Sequence, residues 1–595
     1  MLASLLIALA SFDGEQVHHS YHPRTWYSDL LAGPAVCSPD GRFLSYTKEG
    51  QQVVVELASG EVVPLSERIG WDAVNWVRWA GDGSRLLAIG RDGGVAVDAA
   101  FDLQTGERSE SGLWEQIFDV LCTSSPERRI VAGRHAGKLG LWLEEKGHAE
   151  PTRLTSRARK LAWAVAPDAG MLAVLLQNEK GWADLILADL QTGERRTLLA
   201  DADASYQPTT MAFTADGSEI LLSLVGVQRG SAQDKQDPDS DRDLDIFALD
   251  IASATLRSVV GGPGDDLVTG IVGGRLLWTN VITSMRIGIV PAAGGDVTEL
   301  IGETASYPYW HPDGDRVSAM YGPMTIADWA LNWDLGAMGV DSKGRSTGAL
   351  EALIVGPHED FALNWSPDGR WMAYHSHRGP KPAMAYSGGG ATDDIWMRAA
   401  DGGPEIQLSR NAGPEVCQPD WSPDGFEVMF VAIDQRAGRF RPVVVEIDPE
   451  TGARVAQRNF LVPGIDGDVP SAVYSPVGPE VAFEERTRDG THRLWVVSLE
   501  SREKRLLAEF EALSEISGID FGPNGESLLY VALHEEDQQG EHHALFRVAT
   551  DGDSAPVRLT NVAEEIYTPQ ASPDGELIAV TIYTHTKSVK SKALE

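Results

Sequence analysis

Cysteine is nearly missing from this chain, with Cys37, Cys122 and Cys417 the only three among 595 residues. They form no Cys-x-x-Cys pair and no even framework, which excludes a disulfide scaffold and a zinc site built on cysteine. Positive charge is short as well: 50 Lys and Arg stand against 87 Asp and Glu, for a formal net charge of −37. Nucleic acid and anionic membrane both demand basic faces, so neither is expected as a partner. No stretch approaches the ~20 apolar residues of a transmembrane segment. Helix-period patterning is absent beyond the extreme N-terminus.

What the chain does have is a repeat. An aromatic, one small residue and then Pro-Asp-Gly precede a short apolar run, as in Trp365-Ser366-Pro367-Asp368-Gly369, Trp421-Ser422-Pro423-Asp424-Gly425 and Trp310-His311-Pro312-Asp313-Gly314. Proline presets φ for the turn, aspartate bonds its own backbone, and glycine accepts positive φ. The flanking runs, such as Arg370–Tyr374 and Glu427–Val431, are rich in β-branched and aromatic residues and form a hairpin. A third strand follows (Asp394–Met397, Asp245–Ala248, Arg493–Val496), then a second turn and a fourth strand such as Ile406–Ser409. Four antiparallel strands per repeat describe a propeller blade.

Measured from the turn proline or its replacement, the repeats at positions 39, 81, 126, 167, 215, 312, 367, 423, 476, 523 and 573 step by 41 to 56 residues, except one step of 97. That double step hides a blade without the motif, with Leu276–Trp278 and Ile287–Val290 as its expected strands. Twelve blades exceed the about 4–8 that close one ring. The expected fold is therefore all-β: two β-propellers of six four-stranded blades each, over residues 11–303 and 304–595. Five plus seven is the alternative. Residues 1–10 read as a signal peptide, because the uncharged run Leu2–Ala10 ends in a small-x-small pattern suited to cleavage before Ser11. A periplasmic or secreted protein is the expectation.

The unit from Trp365 to Arg410, followed by Pro419-Asp420-Trp421-Ser422-Pro423-Asp424-Gly425, resembles the TolB-type, WD-like propeller repeat over roughly residues 33–584. The resemblance implies a propeller of the kind found in periplasmic and exported bacterial proteins. Similar blades serve as protein-binding scaffolds, as gating domains of prolyl-oligopeptidase-like enzymes and in some polysaccharide lyases, so a fold does not name its function. A hydrolase of the prolyl-oligopeptidase type needs a Gly-x-Ser-x-Gly elbow between a strand and a helix. The sequence is read as holding none, which sets that enzyme aside.

The favoured expectation is a non-enzymatic scaffold that binds a protein or cell-envelope component on the face carrying the long loops 226–241, 321–343 and 378–392. Trp329, Trp333 and Tyr386 are aromatics within those loops and are the candidate partner surface. The alternative is a hydrolase or lyase with a polar pocket at His375, His377 and Arg378, since the two histidines share one strand face. In the first of the loops Asp237, Asp239, Asp241 and Asp243 alternate with other residues and lead to Asp245. Their spacing resembles a Ca²⁺-binding Asp-x-Asp-x-Asp loop, without its glycine and bidentate glutamate. Calcium is thus the one candidate cofactor, against a plain solvated loop. Finally, the last repeat lacks a fourth strand, and a segment within 16–29 is expected to pair with Leu577–Tyr583 to cover the open edge.

Overall fold

The computed structural model describes residues 36–594 apart from connections, the longest being 203–210, 226–243, 323–332 and 379–392. The motif explains the hairpins atom by atom. The Ser366 hydroxyl donates to Asp368 Oδ1 (2.6 Å) and accepts from the Trp371 amide (2.9 Å), while Asp368 Oδ1 accepts from the Arg370 amide (3.0 Å). Ser422 with Asp424 and Ser572 with Asp574 repeat the pattern. The small residue of the motif is thus a hydroxyl that closes the turn. Gly369 is required twice over, since its φ is +69° and a Cβ there would lie 2.9 Å from His311 Nε2.

The fold is all-β. Among the described residues, ten four-stranded antiparallel sheets follow chain order, each a propeller blade, and an eleventh sheet has five strands. The weak repeats at 126 and 476 are true hairpins, Gln116–Cys122 with Arg128–His135 and Asp468–Tyr474 with Glu480–Arg486. A single five-residue helix, Leu65–Ile69, interrupts the described strands. The apolar core lies between neighbouring sheets, as where Ala373, Ile395 and Met397 of one meet Val428, Phe430 and Val445 of the next.

Innermost strands touch in two closed circuits. The first runs through β1 (Val36–Cys37), the strands starting at 73, 116, 160 and 211, and β2 (Asp265–Val272), then returns to β1. It is followed by β3 (Arg275–Pro291) and β4 (Thr298–Ile301). The second circuit runs through β5 (Ala305–Trp310), the strands starting at 359, 416, 468 and 516, and β6 (Glu565–Ala571), which returns to β5. The last strand, β7 (Leu577–Ala593), pairs with all 17 residues of β3. Its first half lies beside β6 of the second circuit, and its second half faces the part of β3 that pairs with β2 of the first. One sheet therefore belongs to both circuits.

Two expectations are corrected here. Leu276–Trp278 and Ile287–Val290 are the two ends of one continuous strand, β3, and not separate strands of a private blade. The place beside Leu577–Tyr583 is held by β3, with β4 beyond it; residues 16–29 lie outside the described residues. The lysine-bearing tail is strand as well: Lys590 Nζ donates to Asn280 Oδ1 (3.0 Å) and Lys592 Nζ to the Val259 carbonyl (2.8 Å).

Candidate functional site

Two polar assemblies stand out in the second circuit. The first lies at the loop end of the sheet built from Glu359–Trp365, Trp371–His377, Asp393–Ala399 and Ile406–Gln407. Tyr374 and Ser376 share a face of their strand by the two-residue period, and Arg378 follows on the same side. The Arg378 guanidinium pairs with Glu405 Oε2 (2.7 Å), donates to Ser376 Oγ (2.9 Å) and Tyr374 Oη (3.2 Å), and lies 3.7 Å over the Trp396 ring. Tyr374 Oη donates to Glu405 Oε1 at 2.7 Å. Burial pushes the Glu405 carboxyl up, but the guanidinium and phenol outweigh it and hold the group below its ordinary value. Beside them Asp360 is 2% exposed, and burial raises its carboxyl to about 6.

The expected site residues are dispersed. His375 is buried and tilted over Phe361, with ring centroids 4.9 Å apart. His377 ends its strand opposite Glu359 and Asp393. His311 sits at a Pro-Asp-Gly turn, edge-on to Trp365 at 4.7 Å, away from both. Trp333 is corrected: at 1% exposure it packs with Met285, Met320, Leu335 and Tyr374, because strand Asp334–Gly339 begins inside what reads as the loop 321–343. Trp329, Tyr386, Asp237, Asp239, Asp241 and Asp243 lie outside the described residues, while Asp245 belongs to strand Leu244–Asp250.

One further correction concerns the serine pattern. Gly344-Arg345-Ser346-Thr347-Gly348 does spell Gly-x-Ser-x-Gly. It forms a tight turn, with the Asp341 carboxylate accepting from the Lys343 and Arg345 amides and from the Arg345 guanidinium, and Ser346 bridging to Val340. The chain then enters strand Glu351–Ile354, whereas an elbow requires a helix whose N-terminus faces the serine. The pattern therefore makes no elbow.

The second assembly surrounds the axis of the second circuit. Its innermost strands bulge at matching places, where Tyr307, Ala362, Gln418 and Thr568 take φ of 45–53° and Gly518 takes 83°. Proline follows three of these residues, in a position that makes no ladder bond. The bulges turn Tyr309, Gln418, Asp420, Ser471, Thr568 and Gln570 onto a small axial cavity. Asp420 Oδ1 accepts from Asn364 Nδ2 (3.0 Å) and its Oδ2 from the Tyr474 amide (2.6 Å), while Asp520 Oδ2 accepts from the Ala571 amide (2.8 Å). Each bond crosses from one sheet to the next. The motif tryptophans bond backwards, Trp310 Nε1 to the Gln570 carbonyl and Trp421 Nε1 to the Asn364 carbonyl, both 3.2 Å. The residue ahead of the motif aromatic is thus the inter-sheet clasp, a role that sequence reasoning missed although its fixed position is visible in Asn364-Trp365 and Asp420-Trp421.

Desolvation raises the Asp420 carboxyl to about 7, and holds the Asp520 carboxyl well above its ordinary value, with the Asp420 charge adding to the effect. A carboxyl raised on folding contributes stability that is complete below its unfolded value of 3.8 and is lost as the pH rises through about 7. Acidification from about pH 8 to about pH 6 should therefore stabilise wild type more than Asp420→Asn, as read by melting temperature. Equal pH slopes would contradict the clasp's titration.

No family model matches the sequence, and no curated protein matches it. Among solved structures, a protein assigned as TolB from Agrobacterium tumefaciens shares 18% identity at a TM-score of 0.37, over 51% of this chain and 98% of its own. The Niastella koreensis GH74 enzyme shares 10% at 0.34, over 92% of this chain and 97% of its own. The tricorn protease shares 12% at 0.26, over 88% of this chain and 63% of its own. The likeness is distant, and no residue's role is carried over from these proteins.

Proposed function

We propose that the chain is an exported, non-enzymatic double propeller, six blades to each circuit, that binds a protein or cell-envelope component on its long-loop face. The observation that supports this most is the state of Arg378. The guanidinium that the enzyme alternative requires is neutralised by Glu405, bonded to Tyr374 and Ser376 and stacked on Trp396, so it holds the blade together. A rigid scaffold that presents long loops is a binding architecture. The two closed circuits of innermost strands support the count of blades, and among the described residues no helix is long and apolar enough to cross a membrane.

The test replaces 379–392 by a short Gly-Ser linker, leaving Arg378 in place, and compares capture of envelope components by the two chains at matched melting temperature. Loss of a specific component in the variant is expected; identical recovery would overturn the placement. Turnover of a peptide, ester or uronate substrate that Asp360→Asn abolishes would favour the enzyme instead. Asp237, Asp239, Asp241 and Asp243 offer alternating carboxylate oxygens of the kind a Ca²⁺ ion gathers. Calorimetry should show heat for wild type and none for Asp239→Ala/Asp241→Ala, and silence in both leaves the solvated loop.

A further inference from the structure

Asp360, Asp394 and Glu405 gather on the face of the sheet that carries Arg378, and two of these carboxylates are fully engaged. Asp394 Oδ1 accepts from the Ser409 hydroxyl (2.6 Å) and its Oδ2 from Gln407 Nε2 (2.7 Å). Glu405 takes Tyr374 on one oxygen and Arg378 on the other. Asp360 differs. Ser376, directly opposite it in the ladder, donates its hydroxyl to the carboxylate, while Oδ1 has no hydrogen-bond partner among the described residues. The residue is 2% exposed, so bulk solvent does not satisfy that oxygen, and a buried acceptor left without a donor is costly. Trp396, opposite Tyr374 on the same face, likewise keeps Nε1 buried without an acceptor among the described residues.

This face looks across to the sheet that begins with β5. Tyr374 packs with Met320, Trp333 and Leu335 of that sheet, and Arg398 Nη1 donates to the Leu353 carbonyl (3.3 Å). Around Asp360 the Arg378 charge favours the ionised carboxylate, but Glu405 and, from the neighbouring sheet, Asp334 oppose it. The Arg378 donors are held by Glu405, Ser376 and Tyr374, which leaves them unavailable to Asp360. Side-chain exposure falls from 32% at Glu405 to 15% at Arg378, with Asp360 deepest. The missing group is therefore a cation on a long, thin stem. A single open oxygen suits the point contact of an ammonium, whereas a guanidinium fork needs two. A peptide also brings carbonyl acceptors for Trp396 Nε1, and the net charge of −37 favours a basic partner.

We propose that Asp360 is the floor of a lysine-binding site, where the ammonium group of a partner lysine enters between the two sheets from the loop face and pairs with Oδ1. The site rests on the scaffold reading above and names the chemistry that its partner presents.

The experiment uses the full chain and the tripeptide acetyl-Gly-Lys-Gly-amide, titrated by ligand-detected NMR at about 0.15 M salt to screen long-range attraction. Saturable binding to wild type is expected, with none for the peptide acetylated on the lysine side chain, a comparison that needs no variant. Asp360→Asn should weaken binding about tenfold or more. Its melting temperature should equal or exceed that of wild type, because the amide removes a buried charge and keeps an acceptor for Ser376. Glu450→Gln, which removes an exposed carboxylate elsewhere, should leave binding unchanged. No saturable binding to wild type overturns the proposal, as does equal binding by Asp360→Asn or equal weakening by Glu450→Gln. Tighter binding of the arginine peptide than of the lysine peptide overturns the ammonium assignment. Loss of envelope capture on replacing 379–392, with no lysine binding, removes this site and leaves the scaffold standing.

Discussion

Ending the chain at Thr586 is expected to destabilise residues 36–281 while leaving the second circuit folded. Nine residues would be lost, yet they carry all of the β3–β7 pairing opposite β2, from Lys587 with Val281 to Ala593 with Arg275. Lys590 bonds Asn280, 310 positions away, and Lys592 bonds Val259, 333 positions away. Arg275 donates to Ser591 Oγ (3.1 Å), and the Leu594 amide to the Gly274 carbonyl (3.0 Å). Leu594 also packs on the cluster of Leu221, Ile246, Leu276 and Trp278. The loss strips a strand from the first-circuit side of the shared sheet and takes the Lys590 charge from beside Asp266, a buried carboxyl that desolvation already raises. We expect a cost on the order of 5 kcal/mol to the first circuit, a large share of a domain's net stability. Thermal melts should split into two transitions, the lower one assigned to the first circuit by proteolysis. A single transition unmoved from wild type would contradict the shared sheet.

The second large effect is at Trp333. As a core residue at 1% exposure it should cost about 3–5 kcal/mol when cut to alanine, since the cavity cannot collapse among Met285, Met320, Leu335, Tyr374 and Tyr567. As a surface aromatic awaiting a partner it would cost under about 0.5 kcal/mol and lower binding instead. Denaturant melts separate the two, and no change in midpoint would return Trp333 to the binding surface.

These two effects mark where the chain was legible. The hairpins could be read because Ser-Pro-Asp-Gly is self-contained: Ser366, Asp368 and the amides they bond lie within six residues of one another. The fourth slot of the turn, Gly369, and the alternation in Trp371–His377 point the same way, so local and tertiary preferences agree. The shared sheet could not be read, because β3 carries no turn motif and finds its partner some 300 positions along the chain, where no short-range pattern records the pairing. Trp333 misled for a related reason. It stands before a strand whose second residue, Leu335, belongs to the core, but the turn residues that would announce that strand are missing. Asp420 and Asp520 were visible as residues at a fixed place before an aromatic. Their role was not, since a clasp between sheets depends on the bulge at Gln418 or Gly518 that turns the chain toward its neighbour. The pocket expected at His375, His377 and Arg378 kept only Arg378, which bonds Tyr374 and Ser376 at the alternate positions of the strand, while Glu405, which fixes what they do, lies just ahead of another strand.

One sheet closes both circuits, and native-state hydrogen exchange across β3 and β7 reads this out. Arg275–Val281 and Lys587–Ala593 should be protected together, with the β3-facing amides of Lys587–Ala593 matching those of Leu577–Tyr583 within tenfold. Free exchange of Lys587–Ala593 beside a protected Leu577–Tyr583 would contradict it.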